Sequence, residues 1–207
     1  LENKIKDYPN FDVRTPWKAY QDLKKQNPAL FYYRSPKEFI NEDDLNILPI
    51  SGISKVKNFT NRENGYYPDY ENDRYGFRNL DSEWDKELIE FVLIGDSYLM
   101  PTSLEASISE NLRKNLKNNN GILTLAHGSF GTLYQYAILR EYLPRVKAKR
   151  VVLFYFEAND LTNLSDELNN VKLSNYLNDK NYTQNLHLKQ DIIDKMYIEK
   201  FKTSDEY

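Results

Sequence analysis

The chain has 207 residues, a formal net charge of -3 at pH 7 and no cysteine. That length holds one sizeable core, or a core with an added segment. The mild acidity argues against a nucleic-acid surface, and the lack of thiols excludes disulfides, thiol catalysis and cysteine metal sites without fixing a compartment.

Residues 1–40 are charged and aromatic, with prolines at 9, 16, 28 and 36. Trp17, Tyr20 and Leu23, then Leu30 and Phe31, fit one short amphipathic helix followed by an extended piece. Residues 41–52 read as turn and loop. In residues 53–79 the pair Asn64-Gly65 is a hairpin signal, so short antiparallel strands or an ordered loop are expected near Val56–Tyr70. Asp73–Asn79 (DRYGFRN) is a compact turn with two arginines. Residues 1–87 are therefore expected to form an N-terminal arm and hairpin segment that packs on a core spanning residues 88–207.

The core opens on a strand at Leu88–Ile94. Its run Phe91–Ile94 is apolar without polar alternation, as expected of a strand buried on both faces in a parallel sheet. It runs into Gly95-Asp96-Ser97. A helix is expected over Ser103–Leu116, where Leu104, Ile108, Leu112 and Leu116 make one stripe and Thr102 or Ser103 can cap. Asn118–Gly121 is a stop and turn. A second strand covers Ile122–Ala126, a loop His127–Gly131, a second helix Thr132–Tyr142 and a third strand Arg150–Phe156. After the corner Glu157–Asp160 the chain reads helical, through Leu161–Leu177 and again over Leu186–Phe201. Strands alternating with helices predict βαβ units and an α/β fold.

In a parallel sheet the C-terminal strand ends share one edge. That edge would carry Asp96-Ser97, His127-Gly128-Ser129 and Asn159-Asp160, a set with a hydroxyl, free loop N–H groups and a side-chain amide. Acyl transfer needs such a set: a nucleophile and donors aimed at the developing oxyanion. Each residue also has a plainer reading. Ser97 can cap a helix, Asp96 can hold the turn, and Asn159 can form an Asx turn. His127 is a surrogate base if its ring reaches Ser97, and His187 reads as a solvated helix residue. Arg74 and Arg78 can bind a carboxylate or sugar acid, or can pin their loop to Asp73, Asp81 or Asp85. The tyrosines of segment 66–75 can stack on sugar rings or simply pack. The acidic run Glu42-Asp43-Asp44 has no histidine and no regular ligand spacing, so neither metal nor cofactor is expected.

Three blocks in this order resemble the SGNH hydrolases, also called the GDSL lipase/esterase family. Gly95-Asp96-Ser97 resembles the first block with its nucleophilic serine. Leu125–Gln135 (LAHGSFGTLYQ) resembles the second, whose glycine N–H serves the oxyanion hole; that glycine aligns with Ser129, one residue after Gly128. Glu157–Asp160 (EAND) resembles the third, whose asparagine is the other donor, with Glu157 in place of its glycine. Asp73–Asn79 and Leu139–Leu143 resemble segments that accompany these blocks in bacterial SGNH-like envelope proteins. The resemblance implies a three-layer, flavodoxin-like parallel sheet, with Ser97 as nucleophile, Gly128 or Ser129 and Asn159 as oxyanion donors, and Asp96 and Asp160 in support. It implies a serine ester hydrolase or O-acyltransferase acting on a small acyl ester, such as an O-acetyl group on carbohydrate, in the periplasm or cell envelope. The alternative is a non-catalytic module that binds glycan or an envelope partner.

The family's Asp-x-x-His block, which supplies the base, has no counterpart. His187 has no aspartate three residues before it. The chain starts at Leu1 and not at methionine, so it reads as a fragment. The remaining strands and the catalytic Asp and His are expected beyond Tyr207. The third strand is then expected to have an open apolar edge prone to self-association.

Overall fold

The structure, a computed structural model, describes residues 11–42, 44–60, 65–67, 69–100 and 107–202, with Asp69 and Lys202 described by their backbone alone. It is an α/β fold with two three-stranded sheets. Helix α1 (Pro16–Gln26) starts at Thr15, whose hydroxyl accepts the Lys18 N–H at 3.3 Å, with Pro16 in the first turn. Strands β1 (Phe31–Tyr32), β2 (Lys57–Phe59) and β3 (Asp69–Glu71) form the first sheet; β1 pairs in parallel with β2, and β2 antiparallel with β3. The expected hairpin is thus present, although Asn64 lies outside the described residues. Tyr20, Leu30, Phe59 and Tyr67 close a small aromatic core between α1 and this sheet.

The second sheet is parallel, in the order β5-β4-β6, from β4 (Ile89–Gly95), β5 (Gly121–Ala126) and β6 (Val151–Leu153). β4 is central and buried, as its run of apolar residues requires. Its register against β5 shifts between Ile89 and Phe91. An extra residue in a strand reverses the faces beyond it, so Ile89, Val92 and Ile94 all point into one large core while Leu93 joins a smaller one on the opposite face. Each such side chain contributes roughly 1.5–3 kcal/mol by leaving water. Glu90, the residue at the shift, is held by Asn120, Lys149 and Arg150, and these partners draw its carboxyl down to about 2.

Helix α2 (Ile108–Asn115) covers the smaller core with Ile108 and Leu112. Its cap is Ser107, which accepts the Glu110 N–H at 3.0 Å; the expected caps Thr102 and Ser103 lie outside the described residues. Helix α3 (Thr132–Tyr142) covers the larger core. Its N-terminal residue Gly131 has no side chain to cap it, so the acceptor comes from elsewhere. Glu167, on helix α4 (Asp160–Leu168), accepts the N–H groups of Gly131, Leu133 and Tyr134 at 2.5, 3.0 and 3.2 Å. Gly131 is required by this approach: a Cβ there would sit 2.8 Å from the Glu167 Oε1 and 2.8 Å from the Asn163 Cβ. Helices α5 (Val171–Asn178) and α6 (Gln190–Lys202) complete this side, with Tyr176 and Tyr197 buried against α3 and the arm residue Phe39.

The two sheet edges differ. At β5, side chains stand in for a further strand. Glu83 accepts the Ile122 N–H at 2.6 Å, and the Asn79 amide accepts from Thr124 N–H at 2.7 Å and donates to its carbonyl at 3.0 Å. At β6 nothing comparable is present among the described residues. Val151, Leu153, Tyr155 and Phe156 are 43%, 54%, 46% and 49% exposed, because α4 and α5 pack against α3 instead. Lys149 and Arg150 precede this strand and Glu157 follows it, so two copies paired antiparallel bring opposite charges together. Sedimentation over a concentration series should show self-association that Leu153→Lys abolishes. A wild-type chain that stays monomeric throughout contradicts this.

Candidate functional site

The polar ends of β4, β5 and β6 meet at one edge of the parallel sheet. After Gly95 the chain makes a short 3-10 turn, Ser97–Leu99. Its cap is Asp96, which accepts the Tyr98 N–H at 3.0 Å, so Ser97 is not the cap. The Ser97 side chain is exposed and has no hydrogen-bond partner among the described residues. Its N–H, first in the turn, has no acceptor within it.

Gly128, after β5, lies against Ser97: a Cβ built on it would be 3.9 Å from the Ser97 Cβ. Asn159, after β6, occupies the cap position of α4 but makes no capping bond. Its Nδ2 donates to Asp96 Oδ2 at 3.2 Å instead. An amide has two hydrogens, so one remains for another acceptor. Asp96, 1% exposed, thus ties the first strand end to the third. Asp160 is buried one residue on. It accepts the Phe156 N–H at 2.9 Å and the Gln135 side chain at 3.4 Å, and burial pushes its carboxyl up. It holds the corner from which Asn159 projects.

The second block differs in detail from its expected geometry. The Gly128 N–H is taken, donating to the Tyr33 hydroxyl at 3.1 Å, while the Ser35 hydroxyl donates to the Gly128 carbonyl at 2.7 Å. The Ser129 N–H meets no acceptor among the described residues. Ser129 has φ 69°, the left-handed region that favours glycine. That is the position at which the resemblance read from the sequence expects a glycine. Of the two loop residues, Ser129 is therefore the one with a free donor.

His127 is buried in an aromatic box. Phe77, Phe130 and Tyr33 lie with ring centres 5.3, 5.5 and 6.2 Å away. Its Nδ1 is 3.5 Å from the Tyr33 hydroxyl, and no hydrogen bond joins it to Ser97 among the described residues. Burial pushes its pKa down to about 3, so it is neutral and weakly basic. His187 lies beside Arg145, Nε2 to Nη1 3.1 Å, on the turn before α6.

Arg74 is committed to its own loop, through Asp81 at 3.0 Å and Asp85 at 2.7 Å. Arg78 is 4% exposed, with its guanidinium 3.7 Å from the centre of the Tyr70 ring. Both belong to the turn built on Asp73. That buried carboxylate accepts from the N–H groups of Tyr75 and Phe77, both at 2.9 Å, from Asn79 at 2.8 Å and from the Trp84 indole at 2.7 Å. Burial outweighs these donors and holds its pKa up at about 6. Of the acidic run, Glu42 pairs with Lys200 and Asp43 lies outside the described residues.

Comparison with family models, with curated proteins and with solved structures returns no match.

Ser129→Gly relieves the left-handed strain and should stabilise the fold by about 0.5–1 kcal/mol in urea unfolding; destabilisation contradicts the assigned backbone. His127 has a lowered folded-state pKa, so its contribution to stability is present above the unfolded value of 6.5 and is lost as pH falls towards 3. Asp73 has the opposite sign: its contribution is lost as pH rises from 3.8 through about 6. Asp73 is common to wild type and His127→Phe and cancels between them. The variant should gain on wild type by about 1.4 kcal/mol per pH unit below 6.5. A difference that stays flat with pH contradicts a neutral, buried His127.

Proposed function

We propose that the chain carries the nucleophile and oxyanion half of an SGNH-type acyl-transfer site, on a flavodoxin-like sheet. One observation carries this reading: Ser97, the Gly128–Ser129 loop and Asn159 come from three strand ends and converge, with Asp96 joining the first to the third. Such convergence is what a tetrahedral intermediate requires. In this reading the Ser97 hydroxyl attacks the carbonyl of a small ester, an O-acetyl group on carbohydrate being the favoured case. The Ser97 proton passes to a base outside the described residues. The oxyanion rests against the N–H groups of Ser97 and Ser129 and the free hydrogen of the Asn159 amide. Collapse expels the alcohol, which takes up the proton. Water or a sugar hydroxyl then removes the acyl group from Ser97. An envelope location suits such a substrate.

Among the described residues the base is the part without a candidate. His127 is too weakly basic and too enclosed, and His187 is bound to Arg145. The chain alone should release little or no p-nitrophenol from p-nitrophenyl acetate. Imidazole, a soluble stand-in for the missing base, should allow a single acetyl group to form on Ser97, found by peptide mapping and absent in Ser97→Ala. No acetyl-Ser97 under these conditions contradicts the reading and favours a non-catalytic module that binds glycan or an envelope partner. Rapid Ser97-dependent turnover without imidazole would instead make His127 the base.

A further inference from the structure

Tyr33 and Ser35 touch the candidate site from a part of the chain that no motif connects with Ser97. Backbone pairing brings them there. Phe31 and Tyr32 pair with Asn58 and Phe59, and the Tyr33 N–H donates to the Phe59 carbonyl at 2.9 Å. The chain then turns into a 3-10 helix, Pro36–Phe39, with Ser35 as its cap. The Ser35 hydroxyl accepts the Lys37 N–H at 3.2 Å and donates to the Gly128 carbonyl at 2.7 Å. The Tyr33 hydroxyl accepts the Gly128 N–H at 3.1 Å, and the Met100 sulfur at 3.4 Å and His127 Nδ1 at 3.5 Å lie within reach of its own proton. Two arm side chains therefore hold both backbone groups of one loop residue.

We infer that Ser35 and Tyr33 are positioning residues that orient the Gly128–Ser129 peptide so that the Ser129 N–H acts as an oxyanion donor. This role rests on the acyl-transfer reading of Ser97. The peptide is trans and planar, so its C=O and N–H point in opposite directions. Fixing the carbonyl on Ser35 fixes the N–H on the other side, away from the arm. A holder is needed because Ser129 occupies the left-handed region at φ 69°, and rotation of this peptide would relieve that strain while turning the N–H away. The strain is on the order of 1–2 kcal/mol. The Ser35 hydrogen bond, at about 1 kcal/mol, opposes this rotation directly and is comparable with the strain, while the Tyr33 bond holds the preceding peptide. Donation into the carbonyl also polarises the peptide and strengthens its N–H as a donor. Ser35 acts on the working peptide itself; Tyr33 acts on the one before it.

The test compares rates of Ser97 acetylation by p-nitrophenyl acetate with imidazole in wild type, Ser35→Ala, Ser35→Thr and Tyr33→Phe. Ser35→Ala should be slower by about ten- to a hundredfold. Ser35→Thr, which keeps the hydroxyl, should return to within about twofold of wild type. Tyr33→Phe should also be slow. The Ser129 amide signal in NMR spectra should move in Ser35→Ala and return in Ser35→Thr, a readout that general loss of stability would not give. Ser35→Ala acetylating at the wild-type rate overturns the inference. So does a faster Tyr33→Phe, which would mean that the phenol fills the oxyanion position and blocks it. Failure of wild-type Ser97 to acetylate sinks the acyl-transfer reading and this role together; an acetylating wild type with unaffected variants sinks this role alone.

Discussion

The β5 side of the parallel sheet is tied to one buried carboxylate. Asp73 gathers two backbone N–H groups, the Asn79 amide and the Trp84 indole, and so sets the turn that presents Asn79 to β5. Asn79 then pairs with both backbone groups of Thr124, as a neighbouring strand would. Three residues further on is His127, the start of the candidate loop. Burial holds the Asp73 pKa up at about 6, a measure of how much solvation four donors must replace. The same device recurs at Glu167, which supplies the start of α3 with the acceptor that Gly131 lacks. It recurs at Glu141, which accepts from Tyr176, Thr183, Gln184 and Leu186 and holds the chain between α5 and α6. Buried acids stand here where secondary structure leaves N–H groups unmatched.

Much of the secondary structure was legible in local pattern. The strands at β4 and β5 fall within a residue of their expected bounds, and the helix Thr132–Tyr142 has the bounds expected. The strand expected over Arg150–Phe156 shortens to Val151–Leu153, because only its first half has β4 to pair with. The helix expected from Ser103 is described only from Ile108. The extended piece at Phe31 turned out to be a strand, since pairing with β2 across 27 residues leaves no local mark.

The site divides in the same way. The corners that carry Ser97 and Asn159 were legible because short polar stretches follow apolar strands. The competing capping roles were not resolvable from sequence: Asp96 takes the cap that Ser97 could have filled, and the Asn159 side chain reaches Asp96 in place of a local turn. Tyr33 and Ser35 lie 95 and 93 residues from Gly128, and nothing in their neighbourhood marks them. Glu167 had a signal of a kind. A helix that starts on glycine, with no serine, threonine, asparagine or aspartate at its cap, must find an acceptor elsewhere in the fold. The arginines of DRYGFRN were ambiguous because a guanidinium suits a ligand carboxylate as well as a neighbouring aspartate; here Arg74 has two aspartates at hand.

The central claim is that one tetrahedral centre on Ser97 meets donors from three strand ends at once. Titration with methylboronic acid tests this most directly, because trigonal boron takes a serine oxygen and becomes a tetrahedral anion without needing a resident base. The account predicts chemical-shift changes concentrated at the Ser97 and Ser129 backbone amides and the Asn159 side-chain amide, all lost in Ser97→Ala. Changes that persist in Ser97→Ala, or that reach Ser97 but neither Ser129 nor Asn159, would contradict it.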